Sequence, residues 1–284
     1  MWHACATSDR HACRGRPGRG NGAVMTQQVD RAAQILGILG SGPPRLGVTE
    51  IADRAGLAKP TVHRFLRTLE KHGLVAQDRG TGKYSLGPVV LRLSSAYLNG
   101  SELRARSLPW AESLAHHANE AVWVAGLCSS RVIVLHHVFR PDRTVQVPEV
   151  GAVIPWHASA LGHVIVAHLP EAQRAGALSG GLAPLTERTK TTHAELSRVL
   201  AQVRRQGYAV ENQEAAVGGA SIAAPILGRD SAAAGAIGVV GAADRLLAPE
   251  TQDELVLIVR EAALGISRDL RATHAGTVPP ALPR

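Results

Sequence analysis

The alternation of apolar and polar positions is clearest over residues 48–74, where it predicts two short helices joined by a tight turn at Gly56. In the second helix, apolar residues recur at i, i+3, i+4 and i+7, which places them on one face of a helix. The residues of this stripe are Val62, Phe65, Leu66 and Leu69. Arg64, Arg67 and Lys71 project from the opposite side. A glycine turn between two helices, the second basic outside and apolar inside, is typical of a helix-turn-helix.

Local signals indicate where these two helices begin and end. The first is predicted over residues 48–55, with Gly47 as its N-cap and Glu50 at the third helical position. The second is predicted to begin at Pro60, since a first helical position needs no N–H, and to end before Gly73. For these residues taken alone, the alternative is an ordinary helical hairpin with a solvated charged face.

A polar hairpin is predicted directly behind the second helix. Val75 and Ala76, and then residues 84–86, are predicted as two short strands, and residues 78–83 between them form a glycine-rich tip. Such a hairpin turns a helix-turn-helix into its winged form, so residues 25–87 are predicted to be a winged helix-turn-helix domain. Arg79 and Lys83 at the tip are positioned to meet phosphate or a minor groove.

The N-terminal residues 1–24 show no hydrophobic periodicity and are rich in Gly and Arg, so a disordered tail is predicted there. The first helix is predicted over residues 28–40, with Met25 directly before it. The inward face of this helix is predicted to be Val29, Ala32, Ala33, Leu36 and Leu39. We expect Met25 to be the natural start and the tail to be mistranslated upstream sequence. An intact mass from the native host that includes Met1 would contradict this.

A linker helix and a second domain are predicted beyond the wing. Residues 88–107 are expected to form an amphipathic linker helix, which either pairs with its copy in a dimer or packs on its own domain. Residues 108–274 form the second domain, and residues 275–284 a Pro-rich disordered tail. The pattern predicts helices over 107–119, 160–168, 192–207 and 250–272, and strands over 121–127, 132–138, 144–147, 208–210, 221–227 and 234–240. Two groups of strands with helices between and after them indicate an α+β domain around an antiparallel sheet.

Net charge distinguishes the two halves of the chain. Residues 25–107 contain twelve Lys and Arg against six Asp and Glu, hence +6, whereas residues 108–284 contain fifteen against sixteen, hence −1. The positive field therefore belongs to the winged-helix end, as a polyanionic partner requires. The chain is 45% hydrophobic, which is enough for sizeable cores, and no apolar run approaches the roughly 20 residues of a membrane span. Two of the three cysteines lie in the N-terminal tail, so the body of the chain has no disulfide framework. Such cysteine usage suits a reducing cytoplasm.

An ordered series of short matches runs along both halves of the chain. In the first half these are Val29-Asp30-Arg31-Ala32, Glu50-Ile51-Ala52, Gly56-Leu57, Thr61-Val62-His63-Arg64, Leu69, His72-Gly73 and Tyr84-Ser85-Leu86-Gly87. In the second half they include Pro155-Trp156-His157-Ala158-Ser159-Ala160-Leu161-Gly162, Leu185-Thr186, Thr189, Gly207-Tyr208-Ala209, Glu214 and Ile222-Ala223-Ala224-Pro225-Ile226. Over residues 28–272 the chain thus resembles the IclR-type bacterial transcription regulators. The resemblance implies a GAF-like C-terminal effector domain that binds a small metabolite and assists assembly into dimers or tetramers.

The resemblance also implies which residues contact DNA, since the first turns of the second helix meet base edges in this motif. The expected contacts are Lys59, Thr61, His63, Arg64 and Arg67 on the helix, with Arg79 and Lys83 on the wing. Arg64 can bind guanine through two hydrogen bonds, worth about 1–3 kcal/mol of discrimination. Thr61 and Lys59 are assigned to phosphate. The family often has Ser where this chain has Pro60, which removes one hydroxyl near the DNA backbone.

The effector pocket of the family corresponds to a second set of positions. They are Ala160 and Leu161 in the ligand loop, Glu211, Ser221, Gly238 and Val240, and Trp156 is added as a candidate aromatic wall. Leu161 is bulky and Gly238 and Val240 offer no hydroxyl, so a short oxoacid would lose the hydrogen bonds that a buried carboxylate needs. We therefore expect a larger, partly apolar or aromatic ligand, with Glu211 and Ser221 as its polar anchors. Alternatively, these residues only pack the domain.

Enzyme, metal and cofactor signals are weak throughout the sequence. The segment Gly219-Ala220-Ser221-Ile222-Ala223 lacks the last glycine of a nucleophile elbow and precedes a strand. His3-Ala4-Cys5 and His11-Ala12-Cys13 match no closed zinc pattern, and the sequence contains no G-x-G-x-x-G or P-loop motif, so neither a metal nor a cofactor is expected. The predicted protein is a cytoplasmic bacterial transcription regulator, for instance a repressor, that acts on an operator as a homodimer or homotetramer. The alternatives are a metabolite sensor or interaction module without DNA binding and, in another class, a hydrolase that uses Ser221.

Overall fold

The computed structural model describes residues 21–142, 150–228 and 232–272, with side chains from Gln27 onward. These residues form two compact units, one ending at Gly100 and the other beginning at Ser101, and each is described by itself. Most of both predicted tails and the predicted strand at 144–147 lie outside the described residues.

The first unit is a winged helix-turn-helix, as predicted. Its elements are α1 (Asn21–Gly40), α2 (Val48–Ala55), α3 (Lys59–Lys71), β1 (Val75–Gln77), β2 (Tyr84–Leu86) and α4 (Pro88–Asn99). Strands β1 and β2 are antiparallel, with Val75 opposite Leu86, and Leu46 forms an additional bridge to Tyr84. The core is closed by Ile35, Leu46, Ile51, Leu66 and Tyr84, each at most 1% exposed.

The ends of α2 follow from the residues that cap them. The Gly47 N–H donates to Glu50 Oε2 over 2.8 Å, which confirms the predicted cap at the N-terminus of α2. Gly56 ends α2 with φ of 64°, a left-handed conformation that glycine adopts without a Cβ penalty. The turn into α3 is therefore short, and it holds the two helices in contact.

Helix α1 differs from its prediction at its start and on its inner face. It begins at Asn21, ahead of the predicted start at residue 28. Ile35 is fully buried, although it was not on the predicted face, whereas Val29 is 69% exposed and Ala33 is also exposed. The buried stripe is centred on Ile35 and Leu39, so the predicted face was rotated about the helix axis.

The region predicted as one linker helix over 88–107 contains two helices. Helix α4 ends at Asn99, and α5 (Glu102–Ala118) begins after Ser101, whose Oγ accepts a hydrogen bond from Arg104 N over 3.2 Å. A serine N-cap of this kind favours a new helix start rather than continuation of the preceding one. The break coincides with the boundary between the two compact units.

The second unit is built on a six-stranded antiparallel sheet with helices on both faces, which confirms the α+β class. Its strands are β3 (Ala121–Cys128), β4 (Arg131–Val138), β5 (Val153–Ile154), β6 (Ala209–Asn212), β7 (Gly219–Leu227) and β8 (Ala233–Ala242), in the order β5-β4-β3-β8-β7-β6. Its remaining helices are α6 (Ala160–Ala167), α7 (Glu171–Leu178), α8 (His193–Gln206), α9 (Ala243–Leu246) and α10 (Pro249–Ala272). Of these elements, β5, α7 and α9 were not predicted.

Each face of the sheet has its own hydrophobic core. On one face, Val122, Val124 and Ile237 pack with residues of α5 and α10. On the other, Ala125 and Ala223 pack with residues of α6 and α8. Every residue of α6 from Ala160 to Ala167 is buried. This helix therefore lies between the sheet and α8 with no face in contact with solvent.

Candidate DNA-binding surface and effector site

The outer face of α3 carries exposed cationic side chains. Its inner face is fixed by Val62 and Leu66, which are 0% exposed and lie in the first core. Because the helix is amphipathic, burying this face turns the opposite side chains to solvent. Of the predicted contacts on α3, Thr61 is half-buried and the exposed ones are Lys59, His63, Arg64 and Arg67.

The N-terminus of α3 differs by one residue from its prediction. The helix begins at Lys59 after the N-cap Ala58, so Pro60 occupies the second helical position. The amides of Thr61 and Val62 both donate to Ala58 O, over 2.9 and 3.1 Å. Because Pro60 has no N–H, the Lys59 amide is the first-turn donor that remains for an anion among the described residues.

Asp78 holds the tip of the wing together. One of its carboxylate oxygens accepts hydrogen bonds of 2.9 Å from the amides of residues 80 and 81, and the other pairs with Arg45. These contacts lower the pKa of Asp78, and the hydrogen bond from the Thr81 amide makes the largest contribution. The carboxylate therefore stays ionised and the tip keeps its shape. Arg79 and Lys83, the predicted wing contacts, are both exposed.

Four of the predicted effector residues lie close together on the sheet. Glu211 on β6 is paired with Ser221 on β7, which is paired in turn with Val240 on β8. Gly238 lies two positions earlier on β8, opposite Ala223. Cross-strand partners project from the same face of a sheet. Val240 and Ala223 belong to the core that contains α6, so this row faces that helix.

A chain of hydrogen bonds joins the start of α6 to Glu211. The Ala160 amide donates to Ser221 Oγ over 3.2 Å, and Ser221 Oγ donates to Glu211 Oε2 over 2.9 Å. The other carboxylate oxygen, Oε1, accepts from the Glu214 amide over 2.6 Å. The structure thus brings together Ala160, Glu211 and Ser221, which were assigned to one site from the sequence.

The carboxyl of Glu211 is fully buried, at 0% exposure. Burial raises the pKa of Glu211 to about 7, although the hydrogen bonds that it accepts act in the opposite direction. Near neutral pH the group therefore exists in comparable amounts as acid and carboxylate. It can donate a hydrogen bond to a ligand or accept one from it.

Trp156 and Leu161 contribute apolar surface to the same core. Trp156 begins a single 3₁₀ turn (Trp156–Ala158) just ahead of α6, and it is half-buried. A Cβ on Gly162 would lie 2.3 Å from Trp156 Cα, so this turn packs on α6 more closely than any other residue at that position would allow. Leu161 is 1% exposed, and it packs in the core that also contains Val240.

The segment from Leu185 to Lys190 contains site residues that the sequence did not assign. Thr186 Oγ1 donates to Gln213 O over 2.7 Å, and Thr189 Oγ1 donates to Glu214 O over 2.6 Å. Lys190 forms an ion pair with Glu214, whose side chain is 5% exposed. Thr186, Thr189 and Glu214 belong to the series of positions that match the family, but the sequence alone gives them no role. The family resemblance therefore marked these positions. Local periodicity, however, does not show that the loop containing Thr186 and the loop containing Glu214 lie in contact.

A buried histidine lies on α6 beside this segment. His163 is 1% exposed, and its Nε2 is 2.9 Å from His157 O. Burial lowers the pKa of His163 to about 4, so the ring is neutral at physiological pH. Its Nδ1 has no hydrogen-bond partner among the described residues. The core around α6 thus holds a second polar group, which sequence analysis did not identify.

Other features bear on the alternative functions. Ser221 lies inside β7 and is 1% exposed, whereas a nucleophile elbow places its serine on a strand-to-helix turn. In the part of the chain that the structure describes, no group of three or more His, Cys, Asp or Glu could hold a metal ion. None of the helices described is long and apolar enough to span a membrane. Two surface cavities, of about 200 and 390 Å³, are lined by none of the predicted effector residues.

Comparison with known proteins gives consistent matches over most of the chain. Residues 28–79 match the IclR helix-turn-helix domain, and residues 95–268 match the bacterial transcriptional regulator IclR C-terminal domain. The chain is 44% identical over 247 residues to the glycerol operon regulatory protein of Streptomyces coelicolor, covering 87% of this chain and 97% of that one.

Solved structures agree with these matches. An IclR transcriptional regulator from Alicyclobacillus acidocaldarius has a TM-score of 0.76 at 27% identity, covering 86% of this chain and 98% of that one. An IclR homolog from Microbacterium hydrocarbonoxydans, solved in complex with 4-hydroxybenzoate, has a TM-score of 0.74 at 27% identity, covering 87% and 100%.

Proposed function

The chain belongs to the IclR family of bacterial transcription regulators, and we propose that α3 reads the operator while a small molecule at Glu211 and Ser221 controls binding. It is thus a helix-turn-helix transcription regulator with a small-molecule effector, and not an enzyme. We propose that it acts in the bacterial cytoplasm, where its DNA target lies.

The contacts to DNA are proposed to follow the exposed face of α3. Arg64 and Arg67 would lie in the major groove, with His63 beside them, and Lys59 and Thr61 would bind phosphate at the start of the helix. Two observations support this. The opposite face is buried through Val62 and Leu66, and the N-terminal half carries the positive charge of the chain.

The wing is proposed to bind the DNA backbone or an adjacent minor groove through Arg79 and Lys83. Both side chains are exposed at a tip that the Asp78 hydrogen bonds hold in shape. A tip that is already ordered loses little conformational entropy on binding, which favours affinity. The wing would thus add phosphate contacts to those of α3.

The regulator is proposed to act as a homodimer or homotetramer, so that two α3 helices enter successive major grooves of a two-fold operator. Helix α4 supports this reading. None of its residues is fully buried, and Leu91 and Leu93 are 71% and 55% exposed. Apolar side chains in such positions suit pairing with a second copy better than packing on the helix's own domain.

The effector is proposed to be larger than a short oxoacid and partly apolar or aromatic. Leu161, Val240 and Trp156 offer an apolar surface, and Glu211 with Ser221 offers a polar anchor for a ligand hydroxyl. The homolog solved with 4-hydroxybenzoate shows that a protein of this fold accommodates a hydroxylated aromatic compound. A ligand that binds one arrangement of the protein more tightly would shift operator affinity.

A second effector candidate comes from the relative in Streptomyces coelicolor. Its name connects it with a glycerol operon. Because it is 44% identical to this chain, the operators of genes for glycerol use are the first that should be tested for binding. A glycerol-derived polyol would then bind through its hydroxyls to Glu211 and Ser221. Titration calorimetry against aromatic acids, polyols and short oxoacids separates the candidates. Binding of glyoxylate or pyruvate alone would contradict both.

The exposure of Arg64 and Arg67 opposite a buried face is the observation that carries the DNA proposal. The test is footprinting on the intergenic DNA beside the gene, with the parent and an R64E/R67E variant. We expect the variant to lose the footprint because two groove contacts become repulsive. An R198E/R205E variant on α8 makes the same change in net charge at exposed positions and should footprint like the parent. Protection by R64E/R67E equal to the parent's would refute the proposal.

A further inference from the structure

The outward face of α10 carries a continuous stripe of exposed residues. The opposite face is buried in the core of the second unit, through Val259, Ala263 and Ile266. Residues at i, i+3, i+4 and i+7 share one side of a helix, and the exposed positions of α10 follow this spacing. The stripe, named here the α10 stripe, consists of Glu250, Asp253, Glu254, Leu257, Arg260, Glu261, Leu264, Arg268 and Arg271.

Two leucines form the apolar centre of the α10 stripe. Leu257 is 63% exposed and Leu264 is 51% exposed, and they lie two turns apart, which is about 10 Å along the helix. Both line a cavity of about 390 Å³ together with Trp110. Large apolar side chains grouped beside a concave surface are a feature of protein contact sites.

The wall of this cavity is rigid. Trp110 Nε1 donates to Asp269 Oδ2 over 2.9 Å, which fixes the indole ring on α10. A Cβ on Gly265 would lie 2.2 Å from the ring, so the glycine lets Trp110 lie directly against the helix backbone. The surface beside the leucines is therefore preformed and needs no rearrangement to receive a partner side chain.

The charges of the α10 stripe are arranged with opposite sign about the helix midpoint. Between Arg260 and Glu261 lies a point from which Leu257 and Leu264 are equally distant along the helix. The residues equally distant from this point are Asp253 and Arg268, and then Glu250 and Arg271. Each of these pairs is thus either two leucines or one acid and one base, whereas the position equidistant with Glu254 is the buried Ser267. Two such helices laid antiparallel would bring leucine against leucine and acid against base at the paired positions.

We propose that two copies of this chain associate through antiparallel packing of their α10 helices about a two-fold axis between Arg260 and Glu261. The contact would be isologous, since the same stripe serves both copies. It names a surface for the self-association proposed above and rests on that proposal. Leu257 of one copy would pack against Leu264 of the other.

The two kinds of contact in this arrangement have different roles. Burial of the leucines supplies the non-directional attraction. Exposed ion pairs add little affinity, but they select the orientation, because parallel helices would place the two acidic ends together and the two basic ends together. A stripe acidic at one end and basic at the other therefore favours a second copy in antiparallel orientation over a parallel pair.

Sedimentation velocity of the full chain over a range of concentrations tests the contact. We expect the parent to self-associate and an L257K/L264K variant to show half the molar mass of the parent assembly. V217K, which places a charge at another exposed apolar position in the same unit, should keep the parent's mass. Both leucines are exposed, so the variant should keep the parent's circular dichroism.

A charge swap tests the orientation. D253R alone should weaken association about tenfold, equivalent to about 1.4 kcal/mol, because each two-fold contact would then bring two cations together. The double variant D253R/R268D should recover affinity to within about threefold of the parent, or about 0.7 kcal/mol.

A parent that is monomeric, an L257K/L264K variant with the parent's mass, or a swap without recovery would each overturn the proposal. These measurements of self-association are made without DNA. A parent that associates through α10 without a footprint would count only against the DNA proposal, and one that footprints without the α10 contact would refute only this inference.

Discussion

The buried carboxyl of Glu211 makes the stability of the second unit depend on pH in a way that one substitution can isolate. The pKa of Glu211 is raised from the ordinary 4.5 to about 7 by burial. At about 1.4 kcal/mol for each pKa unit, this difference corresponds to about 3 kcal/mol. Below pH 4.5 the carboxyl is protonated in both the folded and the unfolded chain. As pH rises towards 7 the unfolded chain loses the proton first, so the folded state becomes less stable.

Replacing Glu211 with glutamine removes this titration and keeps a side chain of the same shape. The free energy of unfolding of E211Q, measured relative to the parent, should therefore increase by about 2.5 kcal/mol between pH 5 and pH 8. Denaturant unfolding followed by tryptophan fluorescence measures this. Three of the four tryptophans, Trp110, Trp123 and Trp156, belong to the second unit.

The matched control is E195Q on α8. The pKa of Glu195 is lowered, chiefly by the hydrogen bond from the Thr192 side chain, so this carboxyl is ionised in both states across pH 5–8. Its replacement should shift the free energy of unfolding equally at both pH values. If the free energies of unfolding of E211Q and the parent change in parallel between pH 5 and pH 8, the pKa of Glu211 is not raised in the folded state.

Three other substitutions probe a close contact, a buried ion pair and the start of α3. G162A should destabilise the second unit by about 1–3 kcal/mol in thermal unfolding, because the added Cβ would lie 2.3 Å from Trp156 Cα. K190M leaves the Glu214 carboxyl buried without its partner; since burial already raises the pKa of Glu214, the loss of stability should be larger at pH 8 than at pH 5. K59A should weaken binding similarly on all operator sequences and reduce the slope of log K against log salt concentration by about one.

The first unit could be predicted from sequence almost residue by residue. Its signals are local: a glycine with positive φ at Gly56, a capping glutamate at Glu50, and a buried stripe on α3 through Val62 and Leu66. Two helices were exceptions. Helix α4 ends at Asn99, although one linker helix was predicted to continue to residue 107. Helix α1 has apolar residues around much of its circumference, so the pattern did not distinguish the face with Ile35 from the neighbouring face with Val29.

In the second unit, the elements that escaped prediction are short. Strand β5 has two residues and α9 has four, which is too few for either period to be recognised. Helix α7 has eight residues, but only Leu178 is buried, so it shows no apolar stripe. The ion pair between Lys190 and Glu214 escaped for another reason. It joins two loops whose proximity depends on the packing of α6, α8 and the sheet. The pair of Glu211 and Ser221 was predicted because the family resemblance assigned both positions to the effector site. In the structure, the register between β6 and β7 places the two residues side by side.

Helix α6 is completely enclosed, and this limits the movements by which a ligand at its first turn can affect the rest of the protein. A helix with one wet side can tilt by moving that side into water, but α6 has only protein around it, and protein interiors deform little. Any displacement at Ala160 must therefore appear as movement of the sheet, α8 or the Trp156 turn. The helix should therefore move as one body, so that a displacement at its first turn is transmitted to the elements packed against it.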